Sequence, residues 1–150
     1  QELGMTMDEV ITLASMIEKE AKKSDFAKVS AVFHNRLKAD MTLGSDVTVK
    51  YVSGSQKMSL NDSDLAVDSP YNTYMHKGLP VGPICNPSMD AIVAALYPDE
   101  QYVAQKYLYF CSAKPESGKL VFSKTLEEHN NAVLYYRRDW EEYDKSRGLN

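Results

Sequence analysis

Two carboxylates, Glu18 and Glu20, stand near the end of an otherwise apolar helical segment and are the first candidates for chemistry. A carboxylate beside buried aliphatic side chains is desolvated, which favours the neutral acid and raises its pKa. A carboxylic acid with a raised pKa can donate and accept protons near neutral pH. The alternative is that both glutamates belong to the solvated rim of an amphipathic helix, where flanking charges are common.

The helix that carries these glutamates has a clear start and a clear buried face. Thr6 and Glu9 have the spacing of a capping box, which predicts a helix that begins after Thr6. Val10, Ala14 and Ile17 then recur at helical spacing and predict a buried stripe. Both carboxylates therefore lie at the C-terminal end of a helix anchored in the core.

The composition is that of one globular domain. The chain has 150 residues, of which 43% are hydrophobic and 25% charged, enough for a substantial core. The net charge of -4 and the lack of a basic run argue against a nucleic-acid partner. No apolar run approaches the ~20 residues of a membrane-spanning helix. The chain begins without a methionine, and we expect it to be a piece of a longer protein.

The cysteines and histidines give no metal pattern. Cys85 and Cys111 have no C-x-x-C partner, and His34, His76 and His129 lack the spacing of metal ligands. We predict no metal site and no cofactor, and leave open whether the cysteines are bonded. His129 shares a face with apolar residues of the last helix, which favours a core histidine over a catalyst.

The remaining pattern predicts an α+β fold in which several helices pack around a small antiparallel sheet. Helices are predicted over residues 25–39, 88–97 and 125–143, and a hairpin over residues 107–112 and 119–123. Residues 41–51 fit either a strand or a short helix that begins at Ser45 and Asp46. We expect the first helix to pack against the last.

Residues 68–87 form the most unusual segment and are predicted to be a long functional loop. Four prolines and two glycines exclude a long helix or a central strand. Loops of this length are uncommon unless they are functional. Tyr71 and Tyr74 offer aromatic faces, and Asn72 and Asn86 offer amides, a set that suits a sugar. The alternative is a rigid structural loop.

Asn35 lies next to the apolar face of the predicted second helix. A buried asparagine must find hydrogen-bond partners. Asn35 is therefore either a structural pin or a site residue, and both readings stay open.

A series of short motifs resembles one known family. These motifs are ASMIEKE at residues 14–20, VFHNRL at 32–37, LGSD at 43–46, DSPYNTY at 68–74, GLP at 78–80, ICNP at 84–87, YLYF at 107–110, FSKT at 122–125 and EHN at 128–130. In this order they resemble the endolytic murein transglycosylase family, also called MltG or YceG-like. The resemblance covers nearly the whole chain, which is then one catalytic domain.

The resemblance implies a lytic transglycosylase that acts on peptidoglycan. Such enzymes cleave the bond between N-acetylmuramic acid and N-acetylglucosamine without water and leave an anhydro-muramyl end. One glutamate of the Glu18-Lys19-Glu20 motif serves as acid and then as base. We favour Glu20, which lies nearer the negative end of the helix. Glu18, which Lys22 could keep ionised, is the supporting or alternative residue.

The motifs also give a predicted substrate-binding set, which is Asn35, Ser45, Asp46, Tyr71, Asn72, Tyr74 and Asn86. Four positions depart from the usual family pattern of Gln, Pro, Pro and Gly, and these are Gly44, Val47, Val81 and Ser88. The family context implies the outer face of the bacterial cytoplasmic membrane, an N-terminal transmembrane anchor that this chain lacks, and cell-wall synthesis proteins as partners. The substrate is the peptidoglycan glycan strand.

Two other functions fit the same residues. A muramidase would use a second carboxylate, Asp46 or Asp68, to activate water. A non-catalytic peptidoglycan-binding module would use the tyrosine and asparagine loop alone.

Overall fold

The computed structural model describes residues 4–149, and within them helices surround a two-stranded antiparallel sheet. This confirms the predicted α+β fold class. The elements are α1 (Met7–Glu20), α2 (Phe26–Lys38), α3 (Asp46–Ser53), α4 (Asp62–Leu65), α5 (Met89–Leu96), α6 (Glu100–Ala104), β1 (Tyr109–Ser112), β2 (Leu120–Ser123) and α7 (Leu126–Ser146). A short 3-10 turn, Lys23–Asp25, leads into α2.

Helix α1 begins where the capping box predicts. The Thr6 hydroxyl accepts a hydrogen bond from the Glu9 amide at 3.2 Å, and the Glu9 carboxylate accepts one from the Thr6 amide at 2.9 Å. The helix then buries Leu13, Met16 and Ile17 completely. Burying each such side chain stabilises the fold by roughly 1.5–3 kcal/mol, so α1 is firmly held up to its last turn.

The core lies where α1, α2 and α5 meet. Helix α5 contributes mainly alanines to this contact, and their small size lets it lie close against α1. The hairpin joins the same core from the other side, where Phe110 and Phe122 pack against it. The rings of Phe33 and Phe110 meet edge to face with centroids 5.8 Å apart. The core therefore connects the end of α1 to the sheet.

Helix α7 packs against both strands of the hairpin, and β1 packs in turn against α2. The expectation that α1 packs against this helix is wrong, because the hairpin covers the inward face of α7. The Trp140 indole donates to the Ala113 carbonyl at 3.0 Å. The buried Asp144 carboxylate accepts from the amides of Met58 and Ser59 at 2.9 and 3.0 Å. The Trp140 bond ties α7 to the hairpin, and the Asp144 bonds tie it to the segment before α4.

The ambiguous segment 41–51 includes the start of helix α3, which runs on to Ser53. Thr48 and Val49 are adjacent in sequence and both fully buried, which suits a helix and not a strand with one solvated face. Gly54 ends the helix with φ of +74°, in the left-handed region that favours glycine. The burial of adjacent side chains therefore stabilises a helix here, although the alternating β-branched residues favour a strand.

Residues 68–87 lack helix and strand, as the prolines predict, but the loop is firmly pinned. Asn72 is fully buried, and its Nδ2 donates to the carbonyls of Leu65 and Val67 at 2.9 and 2.8 Å. Its Oδ1 accepts from the Tyr74 amide at 2.9 Å. This amide group therefore fixes the path of the loop from inside.

Within residues 4–149, every helix falls short of the length and apolarity needed to cross a bilayer.

The buried amide of Asn72 gives a first prediction. Asn72→Ala leaves two carbonyls and one amide without their partner, and each unsatisfied buried group costs about 1–3 kcal/mol. We expect the free energy of unfolding, measured by urea denaturation, to fall by at least ~2 kcal/mol. Asn86→Ala is the matched control, because Asn86 is exposed and should change stability by less than ~0.5 kcal/mol. Equal stability of the two variants would contradict the pinning role.

Candidate active site

An open cleft of about 690 Å³ is lined by the end of α1, by the hairpin and by α7. The side chains that bring polar or aromatic groups to it include Glu20, Arg36, Thr42, Asp46, Tyr74, Tyr109, His129, Asn130 and Arg137. Acids, guanidinium groups, an amide and aromatic faces thus share one cavity. Such a lining suits a polar ligand with many hydroxyl groups.

Glu20 is the last residue of α1 and lies partly exposed in the cleft wall. Burial of its carboxyl group raises its pKa from 4.5 to about 7, and the charge of Asp46 adds to this. A hydrogen bond from the Ser45 hydroxyl and the charge of Lys50 act in the opposite direction. Glu20 is therefore present as both acid and base near neutral pH.

Ser45 connects Glu20 to α3 and to the loop. It occupies the N-cap position of α3, but its hydroxyl donates to Glu20 Oε2 at 2.5 Å and makes no bond to the helix. The Ser45 amide donates to Thr73 Oγ1 at 2.9 Å, and Thr73 Oγ1 also lies 2.9 Å from Thr48 Oγ1. Because all three hydroxyl residues are buried, the position of the carboxyl group is set from behind.

Asp46 and Tyr74 form a second pair in the same wall. The Tyr74 hydroxyl donates to an Asp46 carboxylate oxygen. Burial raises the pKa of Asp46, although the hydrogen bond from Tyr74 partly offsets this. Burial and the charge of Asp46 raise the pKa of Tyr74, so the phenol stays protonated. One oxygen of the Asp46 carboxylate is thus engaged by a neutral donor within the protein.

The same cleft is lined by a stack of Arg36, Tyr109 and His129. Arg36 Cζ is 4.9 Å from the centroid of the Tyr109 ring, whose other neighbour is the His129 ring at 5.1 Å and 22°. Burial and the charge of Arg36 lower the pKa of His129, which favours the neutral imidazole. The stack gives the cleft a flat aromatic surface beside a positive charge.

In the described range, no three His, Cys, Asp or Glu side chains are grouped so that they could hold a metal ion. Cys85 and Cys111 are free, and burial raises the pKa of both thiols. Both thiols are therefore protonated near neutral pH.

The sequence of the chain is similar to those of known proteins. The sequence model of the YceG-like family matches residues 1–134. The chain belongs to the YceG-like family. It is 46% identical over 133 residues to the endolytic murein transglycosylase of Bacillus subtilis (strain 168), covering 88% of this chain and 35% of that protein. It is 36% identical over 136 residues to the endolytic murein transglycosylase of Streptococcus pneumoniae serotype 2, covering 87% of this chain and 24% of that protein.

A crystal structure of a YceG-like protein from Listeria monocytogenes has the same fold. It superposes with a TM-score of 0.76 at 46% identity, over 87% of this chain and 41% of that one. The chain therefore spans between 24% and 41% of the length of these relatives. The family assignment confirms the resemblance seen in the sequence motifs.

The fold of this YceG-like domain brings four of the predicted site residues together. Glu20, Asp46 and Tyr74 line the cleft, and Ser45 lies directly behind Glu20. They come from α1, from the start of α3 and from the loop, which are distant in sequence. Their roles in binding or catalysis stay predictions.

Glu18 lies in a different environment from Glu20. Its Oε1 accepts a hydrogen bond from the Ser88 amide at 2.9 Å, at the start of α5. Ser88 lowers the pKa of Glu18, so this carboxylate stays ionised. Lys22, the expected partner of Glu18, donates instead to the Ser117 carbonyl at 2.9 Å. Glu18 thus joins α1 to α5 and lies outside the cleft lining.

The other predicted binding residues also lie outside the cleft lining. Asn35 is buried, and its Nδ2 donates to the carbonyls of Tyr102 and Tyr107, which supports the structural alternative. Asn72 is fully buried and offers a ligand no surface. Tyr71 packs against Tyr51 with ring centroids 4.9 Å apart, and Asn86 is exposed elsewhere. A substrate contact by Tyr71 or Asn86 stays a prediction that this cleft does not support.

The predicted set lacked the three residues of the aromatic stack, which are Arg36, Tyr109 and His129. Arg36 carried a signal, because it is a charged residue directly after an apolar helical face. Tyr109 was read only as part of a strand. His129 was expected in the core, but it is half-buried, lines the cleft, and its Nδ1 has no hydrogen-bond partner in residues 4–149.

The raised pKa of Glu20 gives a second prediction. The folded protein keeps this proton up to pH ~7, whereas the unfolded chain loses it near pH 4.5. Ionised Glu20 therefore destabilises the fold increasingly as pH rises from 4.5 to 7. The free energy of unfolding of Glu20→Gln minus that of the wild-type protein should be about 3 kcal/mol larger at pH 8 than at pH 4.5. Urea denaturation across this pH range measures the difference.

Glu18→Gln is the control with the opposite sign. Because the pKa of Glu18 is lowered in the fold, its ionised form stabilises the protein above pH 4.5, and this contribution is lost as pH falls. A pH-independent stability difference between Glu20→Gln and wild type would contradict the raised pKa.

Proposed function

We propose that this domain is an endolytic lytic transglycosylase that cleaves the bond between N-acetylmuramic acid and N-acetylglucosamine in peptidoglycan. The observation that carries the proposal is Glu20, a carboxyl group with a pKa of about 7 in the wall of the large cleft. Membership of the YceG-like family supports the choice of substrate, because two relatives are named endolytic murein transglycosylases.

In the first step, protonated Glu20 gives its proton to the glycosidic oxygen as the bond to the muramyl anomeric carbon breaks. Positive charge develops on that carbon and its ring oxygen. The Glu20 carboxylate, now ionised, lies beside this charge and stabilises it. The leaving strand departs with a free hydroxyl group.

In the second step, Glu20 acts as the base. The 6-hydroxyl of the same muramyl residue attacks the anomeric carbon, and Glu20 takes the hydroxyl proton. A 1,6-anhydro ring forms, no water is consumed, and Glu20 is protonated again. One carboxyl group can do both tasks because a pKa near 7 leaves both forms accessible.

Ser45 supports both steps by holding the carboxyl group in one place. Its hydroxyl donates to Glu20 Oε2, which leaves Oε1 as the oxygen available for proton transfer. A fixed carboxyl group reacts faster than a mobile one, since orientation is set before the reaction begins. The buried Thr73 and Thr48 hydroxyls hold Ser45 in turn.

A hydrolase would need a second carboxylate free to activate water. Asp46 shares the cleft with Glu20, and one of its carboxylate oxygens accepts the Tyr74 hydroxyl. The choice of the transglycosylase over the muramidase therefore rests on the family, in which two relatives are named endolytic murein transglycosylases. A simple binding module is also less suitable, because a carboxyl group with a pKa near 7 destabilises the fold and brings no benefit to binding alone.

The proposal has consequences for where the protein works. Peptidoglycan lies outside the cytoplasmic membrane, so the domain acts on the extracytoplasmic face. Cleavage of nascent strands there would limit their length. A membrane anchor in a longer protein, and association with cell-wall synthesis proteins, are further parts of this proposal.

Substitution of Glu20 tests the mechanism. Glu20→Gln keeps the shape but cannot transfer a proton, so turnover should fall by roughly 10²–10⁴-fold. Mass spectrometry of digested peptidoglycan measures internal cuts that end in anhydro-muramyl groups. Glu18→Gln should keep most of its activity in protein that is still folded, because Glu18 lies outside the cleft lining. Normal product from Glu20→Gln would remove this carboxyl group from the mechanism.

Substitution of Asp46 separates the two reaction types. For a transglycosylase, Asp46→Asn should still give anhydro products, with the pH optimum moved down because the charge that raises the Glu20 pKa is gone. For a muramidase, the loss of the second carboxylate should abolish cleavage. Reducing ends in place of anhydro ends from the wild-type protein would establish the hydrolase.

A further inference from the structure

The guanidinium group of Arg36 lines the cleft without a carboxylate partner. Within residues 4–149, the salt bridges are formed by Lys23, Lys28, Lys57, Lys77 and Arg138. Arg36 is partly buried, yet its partners are main-chain carbonyls and an aromatic ring. Buried arginines are rarely left without a negative partner, because desolvation of the charge is costly.

The hydrogen bonds of Arg36 fix the orientation of its fork. Nε donates to the Leu108 carbonyl at 2.6 Å, and Nη1 donates to the Thr42 carbonyl at 2.8 Å. Nη2 has no hydrogen-bond partner in the part of the chain that the structure describes. A side chain at residue 44 would contact both Arg36 Nη1 and Tyr74 at 3.5 Å, but Gly44 leaves that space open. The group is thus held rigid and remains accessible.

The carboxyl groups of the same cleft do not neutralise Arg36. Glu20 is engaged by Ser45, and Asp46 is engaged by Tyr74. The other two carboxylates of the lining, Asp62 and Glu141, form no salt bridge with Arg36 within residues 4–149. Burial lowers the pKa of Arg36, which indicates that its surroundings disfavour the charge. An anionic ligand would relieve this cost, and a preorientated guanidinium is the group best suited to a carboxylate.

We propose that Arg36 binds a carboxylate of the muramic acid unit and thereby selects the bond to be cut. The inference rests on the proposed function for the identity of the glycan. N-acetylglucosamine has no acidic group, whereas muramic acid carries a lactyl ether. Its carboxylate is free in stem-free strands, and in complete strands it is joined to a peptide stem with carboxylates of its own. Arg36 would therefore place a muramyl residue, and not a glucosaminyl residue, beside Glu20.

The test measures binding in the Glu20→Gln background, where cleavage does not interfere. Calorimetry compares stem-free glycan strands with the same strands after their lactyl carboxylates have been converted to amides. We expect the carboxylate strands to bind about 10- to 100-fold more tightly, as for a charge-assisted hydrogen bond. Stem-bearing strands, with and without amidated carboxylates, form the second pair and distinguish the stem from the lactyl group as the source.

Variants of Arg36 assign the preference to this residue. Arg36→Gln should remove the preference for carboxylate strands and leave the affinity for amidated strands unchanged, while Arg36→Lys should keep part of it. Arg138→Gln is the matched control, because Arg138 is exposed, pairs with Glu142 and lies outside the cleft lining. Circular dichroism and a thermal melt show which variants have folded.

Each outcome decides the inference. If the Glu20→Gln protein binds both strands of each pair with equal affinity, the inference is overturned, even if the Arg36→Gln variant does not fold. Failure to bind any strand also overturns it. An equal loss on carboxylate and amidated strands in Arg36→Gln makes Arg36 a scaffold residue. Cleavage by the wild-type protein is measured separately. If the protein prefers carboxylate strands but cleaves none, only the proposed reaction is overturned. If it cleaves strands but does not prefer those with carboxylates, only this inference is overturned.

Discussion

The hydrogen bond between Ser45 and Glu20 is the contact on which the candidate site depends. A carboxyl group at the end of a helix would normally point into water and ionise near pH 4.5. Here the chain returns after α2, places Ser45 at the start of α3, and closes over that carboxyl group. Burial raises the pKa while the single hydroxyl donor keeps it from rising further. The site needs both contributions, because a fully apolar environment would leave Glu20 unable to release its proton.

The long loop contributes to this site mainly from behind. Thr73 accepts the Ser45 amide through its hydroxyl and the Gly44 amide through its carbonyl, at 2.9 and 3.0 Å. Asn72 fixes the neighbouring backbone, and Tyr74 reaches forward to Asp46. Because each of these polar groups is satisfied within the protein, the loop is rigid without regular secondary structure. Its polar residues position the wall of the cleft more than they form it.

The sequence predicted secondary structure correctly where a short-range pattern alone determines the element. The capping box of α1 and the hairpin follow from short-range patterns, and both are present. Helix α6 went unpredicted because its five residues have too little periodicity to be recognised. Helix α7 runs on to Ser146 because Asp144 is anchored from outside the helix, by amides that lie more than eighty residues earlier.

The candidate site was harder to predict because its members meet only through tertiary contacts. A tyrosine that stacks on a sugar and a tyrosine that packs on Tyr51 look the same in the sequence. Asn35 and Asn72 are satisfied by carbonyls that no local pattern reveals. Arg36 and His129 come together only because α7 packs on the hairpin. Residue types were therefore a better guide to chemistry than to location.

The contrast between Glu18 and Glu20 follows from the geometry of the α-helix. Two residues along a helix differ by about 200° in direction, so neighbouring carboxylates on one turn enter different surroundings. Glu18 faces the amide of Ser88 at the positive end of α5, where its anion is stabilised. Glu20 faces the cleft, where burial stabilises the neutral acid. The two groups thus titrate on opposite sides of the ordinary glutamate value, which lets the same short segment hold the fold together with one carboxylate and supply an acid with the other.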